Sequence, residues 1–252
     1  MQVLAITNQK GGVGKSSTAS SIGSAYTAQG QRVLFVDLDA QGNLSYSIKA
    51  STTGKSAFDV LMGEATAPEA IQHTAAGDII SASPALASAD ITLTATGKEY
   101  RLREALEALR GKYDLVIIDT PPALGILTVN ALAAADGVII PAQADFFSLQ
   151  GIGQLNSTIE AVKKYCNPGL KVYGIVLTRY SARAIISREV SAMMEQTAAQ
   201  LHTKLYKTKI RECTAVKEAQ AMRESIFDFA PRSNAAADYK ALAEEIKKEW
   251  KK

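Results

Sequence analysis

The sequence predicts an α/β fold: one doubly wound, mostly parallel sheet flanked by helices, with residues 1–252 forming a single domain. Three features carry that expectation. Near-continuous apolar runs at residues 3–6, 32–37, 113–119 and 137–141 suit strands covered on both faces. Stretches with helical character separate them, so strand and helix alternate along the whole length. The first run leads into a glycine-rich loop and the next two end in aspartates. In open α/β sheets that carboxyl edge is where ligands bind.

Taken in order, residues 3–6 form a strand, and residues 18–26 begin a helix after the glycines. Residues 32–37 are the second strand. Residues 57–62 predict a short helix, and 67–71 a helix start with Pro68 in its first turn. Residues 78–82 read as a strand, whereas 85–96 alternate small residues with Leu and Ile and predict no definite element. Leu102, Leu106 and Leu109 give residues 99–110 a helical stripe, ended by Gly111. A strand at 113–119, a helix at 129–135 and a strand at 137–141 follow. The remainder predicts a long helix at 150–165, a strand at 171–177, a helix at 187–201 and a short edge strand at 226–229. Residues 235–252 are a terminal helix with Tyr239, Leu242, Ile246 and Trp250 on one stripe. There is no internal repeat or low-complexity linker.

Composition narrows the class. The chain is 47% hydrophobic and 21% charged, ordinary for a globular protein. No apolar run approaches the roughly 18–20 residues that cross a bilayer, and the start of the chain leads so directly into the first strand that no cleavable signal is expected. Cys166 and Cys213 lack metal spacing and are expected as reduced thiols of a cytoplasmic protein. His73 and His202 are isolated. Net charge is +3 but uneven: residues 1–160 carry −5 and residues 161–252 carry +8. A basic C-terminal third suggests a polyanionic partner, nucleic acid or an anionic membrane.

The chemistry concentrates in Lys10-Gly11-Gly12-Val13-Gly14-Lys15-Ser16-Ser17. Strand, glycine-rich turn, Lys-Ser and helix together make a phosphate-binding loop. Glycines let backbone N–H groups turn inward, and the helix N-terminus adds its dipole. Lys15 would reach the β- and γ-phosphates, and the Ser16 hydroxyl would sit on Mg²⁺. Asp119 closes an apolar strand, the place of a Walker B aspartate that holds Mg²⁺ directly or through water. No Asn/Thr-Lys-x-Asp guanine motif is present, so ATP is expected rather than GTP.

Lys10, placed before the glycines, gives the loop its resemblance to the deviant Walker A motif of the ParA/MinD group of P-loop ATPases. Asp37-Leu38-Asp39-Ala40-Gln41-Gly42-Asn43 resembles that family's A′ motif, residues 114–125 its Walker B and switch II segment, residues 144–151 the following loop, and Pro231-Arg232-Ser233 a segment of small Soj-type ParA proteins. The resemblance runs from residue 1 to about 250 and is weak between 44 and 110. It implies that Lys10 crosses a dimer interface to the partner's nucleotide, that Asp39 positions the attacking water, and that Asp37 supports the magnesium shell. Departures are Ala40 for the usual proline, Ser16-Ser17 for Thr-Thr, and Glu212 and Ala215 at expected arginine positions.

The function this implies is an ATP-dependent dimeric switch for segregating DNA. The ATP-bound homodimer would bind double-stranded DNA without sequence preference, at the nucleoid, and a ParB-like centromere-binding protein would stimulate hydrolysis and release. Basic candidates for the DNA contacts are Arg179, Arg183, Arg188, Lys204, Lys207, Lys209, Arg211, Lys217, Arg223 and Arg232, with Arg183, Arg188, Lys209, Arg211, Lys217 and Arg232 foremost. The absence of an N-terminal helix-turn-helix region matches the short form of the family. The alternative is a MinD-like positioning ATPase on a membrane, using residues 235–252 as an amphipathic helix. A third class, metabolic deviant-P-loop enzymes, finds no matching cysteines or second substrate pocket in the sequence.

Overall fold

A computed structural model describes residues 1–182 and 184–250. Seven strands, β1 (Gln2–Ile6), β2 (Val33–Asp37), β3 (Ile71–Thr74), β4 (Gly77–Ile80), β5 (Leu115–Asp119), β6 (Gly137–Gln143) and β7 (Lys171–Thr178), form one sheet in the order β3-β4-β2-β5-β1-β6-β7. Every neighbouring pair is parallel except β3–β4, an antiparallel hairpin at one edge. The central strands β2 and β5 are buried at all five positions, as their unbroken apolar runs require.

The helices are α1 (Lys15–Thr27), α2 (Asn43–Ser47), α3 (Ala57–Met62), α4 (Ala67–Ala70), α5 (Ala89–Thr92), α6 (Arg101–Glu107), α7 (Ile126–Ala134), α8 (Phe146–Tyr165), α9 (Ile185–Gln200), α10 (Thr214–Ala221), α11 (Ile226–Phe229) and α12 (Asn234–Lys247). They cover both faces of the sheet. Val3 and Ala5 of β1 point to the layer of α3, α6, α7, α8 and α9, while Leu4 and Ile6 point to α1, α2, α10, α11 and α12. That alternation is the two-residue period of a strand.

Two expectations change. Residues 226–229 form one helical turn, not an edge strand: the Ser225 hydroxyl accepts the Phe227 N–H, and Ile226 buries against the α1/α12 layer. The sheet edges are β7 and β3, the latter beginning where α4 ends. The terminal helix is regular over Asn234–Lys247, and Lys251 and Lys252 lie outside the described residues. Its stripe is docked. Tyr239, Leu242 and Ile246 are at most 2% exposed, and the Tyr26 hydroxyl of α1 donates to the Ala243 carbonyl at 2.7 Å.

Helix α1 lies close on the sheet because Gly23 has no side chain. A Cβ there would stand 2.2 Å from Cε1 of Phe35, itself fully buried. Gly23→Ala is expected to destabilise by about 1–3 kcal/mol through overpacking. Urea unfolding checks it; an unchanged midpoint would show that Phe35 has room to move.

Candidate active site

The loop between β1 and α1 turns through Gly12 at φ +74° and Gly14 at φ +87°, left-handed conformations that favour glycine. Gly14 is the N-cap of α1 and offers no side-chain acceptor, so the first N–H groups of the helix stay available to an anion. A Cβ on Gly11 or Gly12 would meet nothing within 4 Å, which leaves that side of the loop open. Val13 is the loop's buried peg. Its carbonyl accepts the Thr178 hydroxyl at 2.7 Å, tying the loop to the end of β7.

Beneath the loop the charges crowd. Strand register sets Asp119 beside both Ile6 and Asp37. Asp119 is fully buried, and among the described residues no donor reaches either carboxylate oxygen in hydrogen-bonding geometry, the Ser16 hydroxyl standing nearby. Burial, then the charge of Asp37, pushes its pKa well up; the Ser16 hydroxyl and the Lys15 ammonium work against that shift. Asp37 is raised too, chiefly by burial, but it is satisfied: the Ser45 N–H and hydroxyl each donate to one oxygen at 2.7 Å, and the Asp39 N–H donates to the other at 3.1 Å. Lys15 is 7% exposed; burial lowers its pKa, opposed by Asp119 and Asp39, and its ammonium donates to the Lys10 carbonyl at 3.2 Å. A bare buried carboxylate beside a hydroxyl is a donor set for a hard divalent cation. The buried ammonium and the loop amides suit the phosphates such a cation accompanies.

Above them opens a cleft of about 640 Å³, lined by Gly11, Gly12, Gly14, Lys15, Ser16, Ser17 and Asp39 and by residues 210–214, 216 and 217 with Gln220. Known proteins match this arrangement over its full length. A family model described as an AAA domain matches residues 1–172. The sporulation initiation inhibitor protein Soj of Bacillus subtilis (strain 168) is 39% identical over 250 residues, 97% of this chain and 98% of Soj. The chromosome partitioning protein ParA of Caulobacter vibrioides is 41% identical, covering 98% of this chain and 94% of that protein. The chain belongs to the ParA/Soj family of P-loop ATPases. Among solved structures, that of a Mycobacterium smegmatis protein described as cobyrinic acid a,c-diamide synthase, with bound ADP and magnesium, superimposes with a TM-score of 0.87 at 36% identity, covering all of this chain and 96% of that one. The Pyrococcus horikoshii septum site-determining protein MinD, at 24% identity and a TM-score of 0.79, shares the fold.

Lys10, which gives the loop its resemblance to the deviant Walker A motif, is held within its own chain. Its ammonium pairs with Asp145 at 2.5 Å and with the Gln143 side chain at 3.4 Å. Asp145 also caps α8 by accepting the Ser148 N–H at 2.9 Å. Burial alone would raise the Asp145 pKa, but these partners outweigh it and hold the carboxyl below its usual range.

The basic candidates divide. Arg211 grips Asp238, with Nη2 2.7 Å from Oδ1 and Nε 2.9 Å from Oδ2. Lys209 donates to Ser191 and lies over the Tyr180 ring at 4.5 Å. Both therefore have work inside the fold. Arg188, Lys217 and Arg232 are exposed, and Arg183 lies outside the described residues. Sequence reading missed Gln220, whose amide donates to the Ser17 hydroxyl at 2.9 Å, and Asp90, which accepts the Ile126 N–H and so caps α7 beyond the β5 edge. Both act across long stretches of chain, and no local pattern marks them.

Proposed function

We propose that the protein is an ATP-hydrolysing dimeric switch that carries DNA for segregation. The observation that supports it most is the bare Asp119 carboxylate under the phosphate loop, with Lys15 and Ser16 beside it. ATP would lie in the cleft with its phosphates on the amides of residues 11–17. Ser16 and Asp119 would hold Mg²⁺, with Asp37 behind them; the ion supplies charge neutralisation on the phosphates. Asp39, at the cleft wall, orients water for in-line attack on the γ-phosphate, so catalysis rests on positioning and electrostatics.

The switch follows from Lys10. Pairing with Asp145 keeps it in its own chain; a second subunit's ATP offers a denser negative charge. Closure of two subunits over two nucleotides then draws each Lys10 across, and loss of the γ-phosphate on hydrolysis returns it. DNA binds the dimer through exposed cations, Arg188, Lys217 and Arg232 among them, with a ParB-like protein stimulating release in the cytoplasm. Such contacts go to phosphates and weaken steeply with salt. The membrane alternative loses its main support, because the apolar stripe of α12 is already buried against α1. Among the described residues no helix is long and apolar enough to cross a membrane.

The test is Asp39→Ala binding to a random-sequence duplex with ATP, with ADP and without nucleotide, across a salt series. Tight, salt-sensitive binding with ATP alone is expected, from a trapped dimer. A dimeric protein in ATP that ignores DNA at every salt concentration would sink the DNA reading and leave anionic liposomes as the next partner to try.

A further inference from the structure

Arg223 sits at φ +56°, in the left-handed region that favours glycine. It follows α10, where its N–H donates to the Gln220 carbonyl and the Glu224 N–H reaches back to the Ala219 carbonyl at 2.9 Å. That pair of bonds is the Schellman ending of a helix, whose left-handed residue is usually glycine. The arginine side chain nevertheless makes three contacts with one segment. Nε donates to the Tyr46 carbonyl at 2.9 Å, Nη2 reaches the Ala50 carbonyl at 3.5 Å, and the guanidinium carbon stands 4.8 Å from the centre of the Tyr46 ring. In return the Tyr46 hydroxyl donates to the Ala221 carbonyl at 3.4 Å.

The segment so gripped is α2. It has five residues and a glycine N-cap without a side-chain acceptor, too short to hold its own position. Yet it supports one carboxylate and adjoins the turn that bears another. Ser45 supplies both donors to one oxygen of Asp37, and the turn leading into α2 is closed by the Gly42 N–H on the Asp39 backbone carbonyl at 2.8 Å and by the Gln41 N–H on the Asp39 carboxylate at 3.0 Å. On its other side α10 is tied to the phosphate-loop helix through Gln220 and Ser17. Tyr46 and Ala221 line the cleft, and Arg223 is not among its lining residues.

We infer that Arg223 is a positioning residue for hydrolysis: by gripping Tyr46 it fixes α2, and through α2 the Asp37–Asp39 turn, against the nucleotide cleft. The inference rests on the reading of Asp39 given above. It removes Arg223 from the residues that touch DNA and gives a side chain at a glycine-favouring position a reason to be there.

The test is Arg223→Gly. Glycine adopts the left-handed conformation without strain, so the end of α10 and the melting temperature are preserved. Turnover at saturating Mg-ATP is expected to fall about tenfold, while KM and ADP affinity stay within about twofold, because the phosphate loop is untouched and only the alignment of attack is lost. Tyr46→Ala, which keeps the backbone carbonyl held by Nε but removes the ring beside the guanidinium, gives a smaller drop, and the double variant Tyr46→Ala/Arg223→Gly is no worse than Arg223→Gly alone. Equal losses of turnover and ADP affinity, or a lowered melting temperature in Arg223→Gly, would mark a merely structural role and overturn the inference. Asp39→Ala is assayed alongside. Full turnover by Arg223→Gly beside an inactive Asp39→Ala overturns the clamp alone; full turnover by Asp39→Ala overturns the reading of Asp39 and this route with it.

Discussion

Lys15→Ala is expected to abolish nucleotide binding while leaving the fold in place. Lys15 is an ammonium at 7% exposure whose hydrogen bond goes to one backbone carbonyl at 3.2 Å. Burial pushes its pKa down, so it is short of solvation and gains from any anion set against it. Alanine keeps the amides of the loop but removes the charge that faces the phosphates. It also removes one of the two groups that oppose the rise of the Asp119 pKa, so the pocket beneath the loop becomes more hostile to a polyphosphate. Thermal unfolding with and without Mg-ADP reads this directly. A ligand at a hundredfold its Kd stabilises by about 2.7 kcal/mol, and in a chain of this length each kcal/mol raises Tm by roughly 2–4 °C. The wild type should shift accordingly, and Lys15→Ala should not shift at all. An equal rise in both proteins would remove Lys15 from the nucleotide site.

What could be read from sequence and what could not follows the distance over which each feature is determined. The phosphate loop and the strand-end aspartates were legible because they are local: an apolar run, then glycines or a carboxylate, at fixed offsets. That Val3 and Ala5 face one helical layer and Leu4 and Ile6 the other was not legible, because all four are apolar and only the folded layers tell the faces apart. The short edge was misplaced because Ile226–Phe229 has strand-forming residues, yet Ser225 caps it into a turn and the α1/α12 layer claims Ile226. Residues 85–96 gave no pattern because the job of Asp90 lies 36 positions away, at the N-terminus of α7. The charge asymmetry was legible, but its use was not. Arg211 with Asp238, Lys209 with Ser191 and Arg223 with Tyr46 are pairings made by the folded chain, which no local pattern in the sequence marks.

Asp119→Asn is expected to raise the stability of the metal-free protein while abolishing its Mg²⁺-dependent properties. Both oxygens of Asp119 are buried without a donor among the described residues, beside Asp37, which is itself held by three hydrogen bonds. Burial and the Asp37 charge raise the Asp119 pKa above the value of about 3.9 expected in the unfolded chain. Below that value both states carry the proton and no penalty exists. As pH rises past it the unfolded chain ionises first, so stability falls until Asp119 ionises in the folded state as well. The metal-free wild type should therefore lose stability from about pH 4 upward. Asparagine removes the charge at nearly constant volume, so the slope should shrink, though not vanish, since Asp37 is raised too. The gain at pH 8 should be on the order of 1–3 kcal/mol, the scale of an unsatisfied buried acceptor. Excess Mg²⁺ with nucleotide should flatten the wild-type slope and leave the variant unmoved, with ATP turnover lost. Urea titrations from pH 4 to 8 settle the matter. A variant less stable than the wild type at pH 8, or one still stabilised by Mg²⁺ in the presence of ADP, would show that the bare carboxylate is not where the ion is held. The opposite result would mean that the protein keeps a destabilised carboxylate under its phosphate loop because only a bare, buried oxygen pair can grip the ion when nucleotide arrives.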